Sequence, residues 1–149
     1  MELPEDLTIN TLYLGYKNLT KIPDLSKYTN LTYLYLNNNQ ITKIENLPQS
    51  LNGLWLSHNQ IQKIENLPQS LIDLYLGNNQ IQKIENLPRS LKTVGLFDNP
   101  IKEIKSLPQS LNYVFMYSKF VYASGLQLIM ELDLLYDIEN SKLLEPSPI

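Results

Sequence analysis

The chain has 149 residues, of which 43% are hydrophobic, with 12 basic against 15 acidic side chains, a net charge of −3, one histidine and no cysteine. That length suits one ordinary core better than two domains, and the acidic balance offers no footprint for a phosphate backbone or an anionic membrane surface. Without cysteine there is no disulfide framework, no thiolate nucleophile and no zinc-ribbon site.

The N-terminal MELPEDLTIN carries acidic residues where a signal peptide needs a basic start and an apolar run. No stretch approaches the roughly 20 apolar residues of a membrane span. The expected setting is cytoplasmic, with secretion as an effector lacking a conventional signal peptide left open. Residues 1–8 read as a partial repeat or N-terminal cap, since Leu3-Pro4-Glu5-Asp6-Leu7 parallels Leu47-Pro48-Gln49-Ser50-Leu51. Residues 9–121 divide into units 9–30, 31–50, 51–70, 71–90, 91–110 and a partial 111–121. The three copies Leu31–Ser50, Leu51–Ser70 and Leu71–Ser90 are twenty residues long without gaps and share the run KIENLP. A unit this short cannot bury its own leucines, so each must stack on its neighbours.

With Leu51 as position 1, apolar residues recur at positions 1, 4, 6, 11, 14 and 17. Positions 4 and 6 (Leu54 and Leu56 in that unit) alternate with variable ones, the period of a strand buried on one face. Stacked units then predict a parallel sheet with strands about 4.8 Å apart. Asn39, Asn59, Asn79 and Asn99 at position 9 are read as a structural ladder whose amides bond the backbone of adjacent loops. Lys17 and Lys119 hold that place in the first and last units, and Val121 holds position 11 of the last. The Leu-Pro-[Gln/Arg]-Ser segments leave no room for a helix and predict an extended or polyproline-like convex side, hence a thin, strongly curved solenoid. From Ser124 the periodicity changes, and 122–149 read as a C-terminal helical cap and tail. On it, Leu126, Met130, Leu134 and Ile138 form a stripe that is either buried or a docking or dimer surface.

Positions 3, 5 and 7 face out from the sheet, onto its concave surface. Position 5 runs Tyr13, Tyr35, Trp55, Tyr75, Gly95, Phe115, and position 3 adds Tyr33, Asp73 and Tyr113. Aromatic anchors rimmed by small polar groups have the composition of a binding hot spot; equally, stacked rings stabilise neighbouring strands. The candidate partner-binding residues are Tyr13, Tyr33, Tyr35, Trp55, His58, Asp73, Tyr75, Asp98, Tyr113 and Phe115. On the opposite side Lys43, Lys63 and Lys83 form one column and Glu45, Glu65 and Glu85 another, with the signs exchanged at Glu103 and Lys105. This register sets Lys83 against Glu103 and Glu85 against Lys105. One histidine on an open face, with no enclosed pocket, argues against catalysis and against a zinc site.

The pattern Leu-x-x-Leu-x-Leu-x-x-Asn-x-Ile over residues 9–121 resembles the leucine-rich repeat. Asn39–Leu47 and its copies are similar to the phosphatase-regulator class, and the twenty-residue Leu-Pro-x-Ser-Leu unit to the short repeats of secreted bacterial effectors. The resemblance implies an α/β solenoid with a concave parallel sheet, and protein binding through that face. The effector subfamily with a ubiquitin-ligase domain needs a catalytic cysteine, which is missing here. The expected function is therefore a non-catalytic, monomeric scaffold for another protein, without cofactor, metal, nucleic acid or membrane. The alternatives are a regulatory subunit of an enzyme such as a protein phosphatase, and a glycan- or peptide-binding receptor module.

Overall fold

Every outward-facing residue is placed by a repeated hydrogen-bonding and packing unit. The computed structural model describes residues 1–116 and the backbone of residues 119–122. The expected Ser124 helix, its Leu126–Ile138 stripe and the tail lie outside the described residues. Strands among those described are β1 (Thr11–Tyr13), β2 (Tyr33–Tyr35), β3 (Gly53–Trp55), β4 (Asp73–Tyr75), β5 (Lys83–Ile84), β6 (Thr93–Gly95), β7 (Glu103–Ile104), β8 (Tyr113–Met116) and β9 (Lys119–Tyr122). The main sheet runs β1-β2-β3-β4-β6-β8-β9. From β1 to β8 every pairing is parallel and without slip, so Leu12, Leu34, Leu54, Leu74, Val94 and Val114 lie side by side.

These strands are three or four residues long because only positions 4 and 6 have an apolar face to bury. Leucines and valines there, with the leucines and isoleucines at positions 1, 11 and 14, fill one continuous core. Most are fully buried, and removing them from water supplies the main driving force for stacking, about 1.5–3 kcal/mol per side chain. The first unit is two residues longer than its neighbours. Its surplus is taken up near Ser26 and Lys27, and the buried Tyr28 stands where later units have proline. The Tyr28 hydroxyl donates to the Pro4 carbonyl at 2.6 Å, which fastens the N-terminal segment over the end of the core.

The convex side differs from an extended run. Pro68, Pro88 and Pro108 each accept a hydrogen bond from the leucine three residues on, at 3.1–3.3 Å. The Pro-[Gln/Arg]-Ser step is therefore a turn that swings the chain back into the next strand. Serine secures it: the Ser50, Ser70, Ser90 and Ser110 hydroxyls donate to the Leu31, Leu51, Leu71 and Leu91 carbonyls at 2.6 Å. On this side β5 and β7 pair, and the expected charge register holds, with Lys83–Glu103 at 3.7 Å and Lys105–Glu85 at 3.0 Å. Both pairs are solvated, which keeps their contribution to stability small. The hydrogen bond that Lys105 donates to Glu85 holds its ammonium above the ordinary value, with the Glu85 and Glu103 charges adding to it.

The last described strand departs from the repeat. The repeat pattern puts Lys119 and Val121 at loop positions 9 and 11, yet β9 runs antiparallel to β8, with Val121 beside Val114 and Lys119 beside Met116.

Candidate functional site

The outer face of the sheet is built on the asparagine at position 9. The Asn59 amide nitrogen donates to the Leu36 and Leu56 carbonyls at 3.0 Å, and its oxygen accepts from the Ile41 N–H at 3.0 Å. Asn79 and Asn99 repeat this one and two units on, through Ile61 and Ile81. Asn39 accepts from both Lys17 and Leu19 N–H, so the lysine in the first unit serves by its backbone. Each amide ties two successive loops and fixes where the strand ends.

Between the strand and that asparagine stands position 8. Asn38, His58, Asn78 and Asp98 there have φ of 60°, 58°, 53° and 54°. This left-handed region is populated chiefly by glycine, asparagine and aspartate, with histidine also enriched. The residue types at His58 and Asp98 thus follow from backbone conformation, and both side chains are exposed at the rim of the face. Position 16 repeats the device. Asn46, Asn66 and Asn86 have φ of 57°, 53° and 58° and donate to the Ile22, Ile44 and Ile64 carbonyls. Sequence reasoning missed this second ladder and the serine ladder. Their signal was present as invariant positions of the copies, hidden because every residue of KIENLP repeats.

On this frame the aromatic side chains form a stack. Tyr13 lies 4.7 Å from Tyr35, Tyr35 4.3 Å from Trp55 and Trp55 5.5 Å from Tyr75, with planes within 14–16° of parallel. Ring spacing follows strand spacing, because the register sets one ring per strand. Tyr33 leans on Trp55 at 6.4 Å and 52°. The rings also lie over glycines. A Cβ at Gly53 would fall 2.6 Å from Trp55 Cζ3 and 2.9 Å from Tyr33 Cδ1, one at Gly77 would fall 2.5 Å from Phe97 Cζ, and one at Gly95 2.9 Å from Tyr75 Cδ1. Glycine at these three outward positions makes room for a neighbouring ring, and the ring covers backbone that glycine would leave bare.

The structure thus brings Tyr13, Tyr33, Tyr35, Trp55 and Tyr75 together. Gly95 ends the stack, and Phe115 stands beside it on the next strand with Tyr113, both half-buried. Tyr13 is 69% exposed and Tyr33 41%, whereas Tyr35, Trp55 and Tyr75 are half-buried. Asp73 is also half-buried, and burial followed by the Asp73 charge lifts the Tyr75 phenol above its ordinary value. The opposite side of the solenoid carries an open hollow lined by charged and amide side chains such as Gln62, Lys63, Gln82 and Glu85. Among the described residues no group of three or more His, Cys, Asp or Glu could hold a metal ion, and no helix is long and apolar enough to cross a membrane.

Comparison with known proteins agrees with this architecture. The profile described as "Leucine Rich repeats (2 copies)" matches residues 8–49 and again 49–89. Among solved structures, the leucine-rich-repeat domain of a Shigella effector is similar at 31% identity over 71% of this chain and 48% of that one, with a TM-score of 0.65. YopM from Yersinia enterocolitica WA-314 is similar at 28% identity over 80% of this chain and 25% of that one, with a TM-score of 0.68. The chain therefore spans about half the length of the first and a quarter of the second. No curated protein sequence matches significantly.

Proposed function

Since the chain belongs to the leucine-rich-repeat family, we propose that it is a non-catalytic scaffold that binds a partner protein in the cytoplasm through the aromatic face of its sheet. The observation that carries this reading is the row of rings from Tyr13 to Tyr75, with Tyr13 largely and Tyr33 partly open to solvent. Aromatic side chains so exposed, fixed by stacking before any partner arrives, lose little conformational freedom on binding. They also bury a large area per residue. Likeness to an effector domain favours the effector class of repeats over the phosphatase-regulator class.

Stacking geometry weighs against a glycan. A sugar docks on the flat face of a ring, but the faces of Tyr35 and Trp55 are taken by their neighbours, which leaves edges and hydroxyls outward. A protein surface can use such edges, with the phenol groups of Tyr13, Tyr33, Tyr35 and Tyr75 as hydrogen-bonding groups. Catalysis has no support at His58, whose place in a left-handed loop is explained by its backbone.

The test is affinity capture from native extract, read by mass spectrometry, with the parent chain and two variants. One variant, Tyr13→Ser with Tyr33→Ser, removes only the exposed rings; the other, Tyr35→Ser with Trp55→Ser and Tyr75→Ser, removes the half-buried ones. Circular dichroism must show both to be folded. A partner retained by the parent and lost from the variants is the expected result. Equal capture by all three would overturn the assignment of this face.

A further inference from the structure

Charge is distributed unevenly over the two sides of the solenoid. Lysine and glutamate alternate in columns on the loop side, where both ion pairs seen among the described residues lie on or just past β5 and β7. On the outer face of the main sheet, positions 3, 5 and 7 of the described units hold tyrosine, tryptophan, phenylalanine, glycine, threonine, asparagine and serine, with one ionised group, Asp73. Its register neighbours are Gly53 and Thr93, and Tyr75 follows it on the same face of β4. Gly53 is roofed by Trp55 and Tyr33. Asp73 is half-buried, and among the described residues it makes no ion pair and no lysine or arginine stands at positions 3, 5 or 7 of β1 to β8.

A carboxylate in this setting is tolerable while water reaches it. Docking of a partner over the rings would strip that water, and an uncompensated buried charge is costly. A partner that brings a cation to this point offsets the loss, and one that does not is rejected. We propose that the aromatic face selects a partner segment carrying a basic side chain, lysine or arginine, whose charged head meets Asp73 while its methylene stem lies along the Trp55 and Tyr75 ring edges. Long basic side chains suit this position because their stems are apolar and their heads are not. An arginine has the further advantage of a planar fork that meets both carboxylate oxygens. The inference rests on the reading of the aromatic face as the binding surface, and it adds which chemistry that surface accepts.

The test is selection of a phage-displayed random peptide library on the full chain. The parent is expected to enrich peptides that share a lysine or arginine at a fixed spacing from an aromatic or aliphatic residue. Asp73→Asn should lose the basic preference, and Asp73→Lys should shift it toward aspartate or glutamate. Peptides selected on the parent should bind Asp73→Asn roughly tenfold to a hundredfold more weakly, and replacing their basic residue should then have little further effect. Peptides that need Tyr33 and Trp55 yet bind Asp73→Asn as tightly as the parent would overturn this inference alone. Peptides indifferent to the Tyr33→Ser, Trp55→Ser variant would overturn the face assignment itself. Failure to enrich any peptide on the parent would remove both.

Discussion

Asn59 shows how much one side chain can hold in this architecture. Its amide satisfies an N–H of one loop and carbonyls of two strands, and none of those groups has water available in its place. Asn59→Ala is expected to lower unfolding free energy by about 1–3 kcal/mol, read by urea denaturation, because the buried Ile41 N–H loses its acceptor, while the Leu36 and Leu56 carbonyls each keep one amide donor, from Asn39 and Asn79. The role of this position was legible from sequence, since asparagine recurs at a fixed distance past each strand. Position 8 was less legible. His58 is the only histidine and invited a contact role, and nothing in one sequence reveals φ. At φ 58°, His58→Asn should leave stability unchanged or slightly raised. By contrast, His58→Val should cost about 1–2 kcal/mol by forcing a branched Cβ into left-handed backbone. Equal stability of the two variants in the same denaturation assay would remove the conformational explanation of that residue.

At the level of elements, the aromatic column could be read from the sequence but its arrangement could not. The spacing gave Tyr13, Tyr35, Trp55 and Tyr75 one face; whether the rings stood up or stacked depended on the glycines between them. Gly53 is the informative case. Its backbone lies outside the left-handed region, so Gly53→Ala should gain about 0.4–1 kcal/mol from a less flexible unfolded chain. The new methyl would nevertheless sit within 2.9 Å of Trp55 and Tyr33 atoms, and overpacking costs about 1–3 kcal/mol. Crowding wins, and the variant should be less stable, with a changed near-ultraviolet circular dichroism signal from Trp55. An increase in stability with the spectrum intact would mean that the rings are loosely held. The Pro-Gln-Ser turn and the reversal into β9 escaped the sequence for a related reason. Proline restricts its predecessor to extended backbone, but the turn is closed by a leucine N–H that returns to the proline carbonyl and by a serine hydroxyl that bonds a leucine carbonyl 19 residues earlier.

Across the whole molecule, stability is a sum over interfaces between neighbouring units. Leu54 is fully buried between Leu34 and Leu74, and Leu54→Ala is expected to cost about 2–5 kcal/mol through the cavity it leaves. Because that cavity borders two interfaces, the loss should appear in thermal melting as damage to the stack on both sides. A melt like that of the parent would place Leu54 outside the core. The solenoid itself was legible because its period repeats without gaps over several units, and a period survives local misreading.

The zero-slip register also has a genetic consequence. Strand pairing, asparagine bonds and serine bonds join unit 31–50 to 51–70 in the same way as 51–70 to 71–90. A chain that lost or gained one twenty-residue copy would meet the same surfaces on either side and should fold to a shorter or longer solenoid. If the coding sequence repeats as the protein does, misaligned recombination would change copy number by whole units. Each such event would add or remove one ring of the column and leave both ends as they are. Partner choice could then vary between individuals of a population through the number of copies, with no point mutation in the binding face.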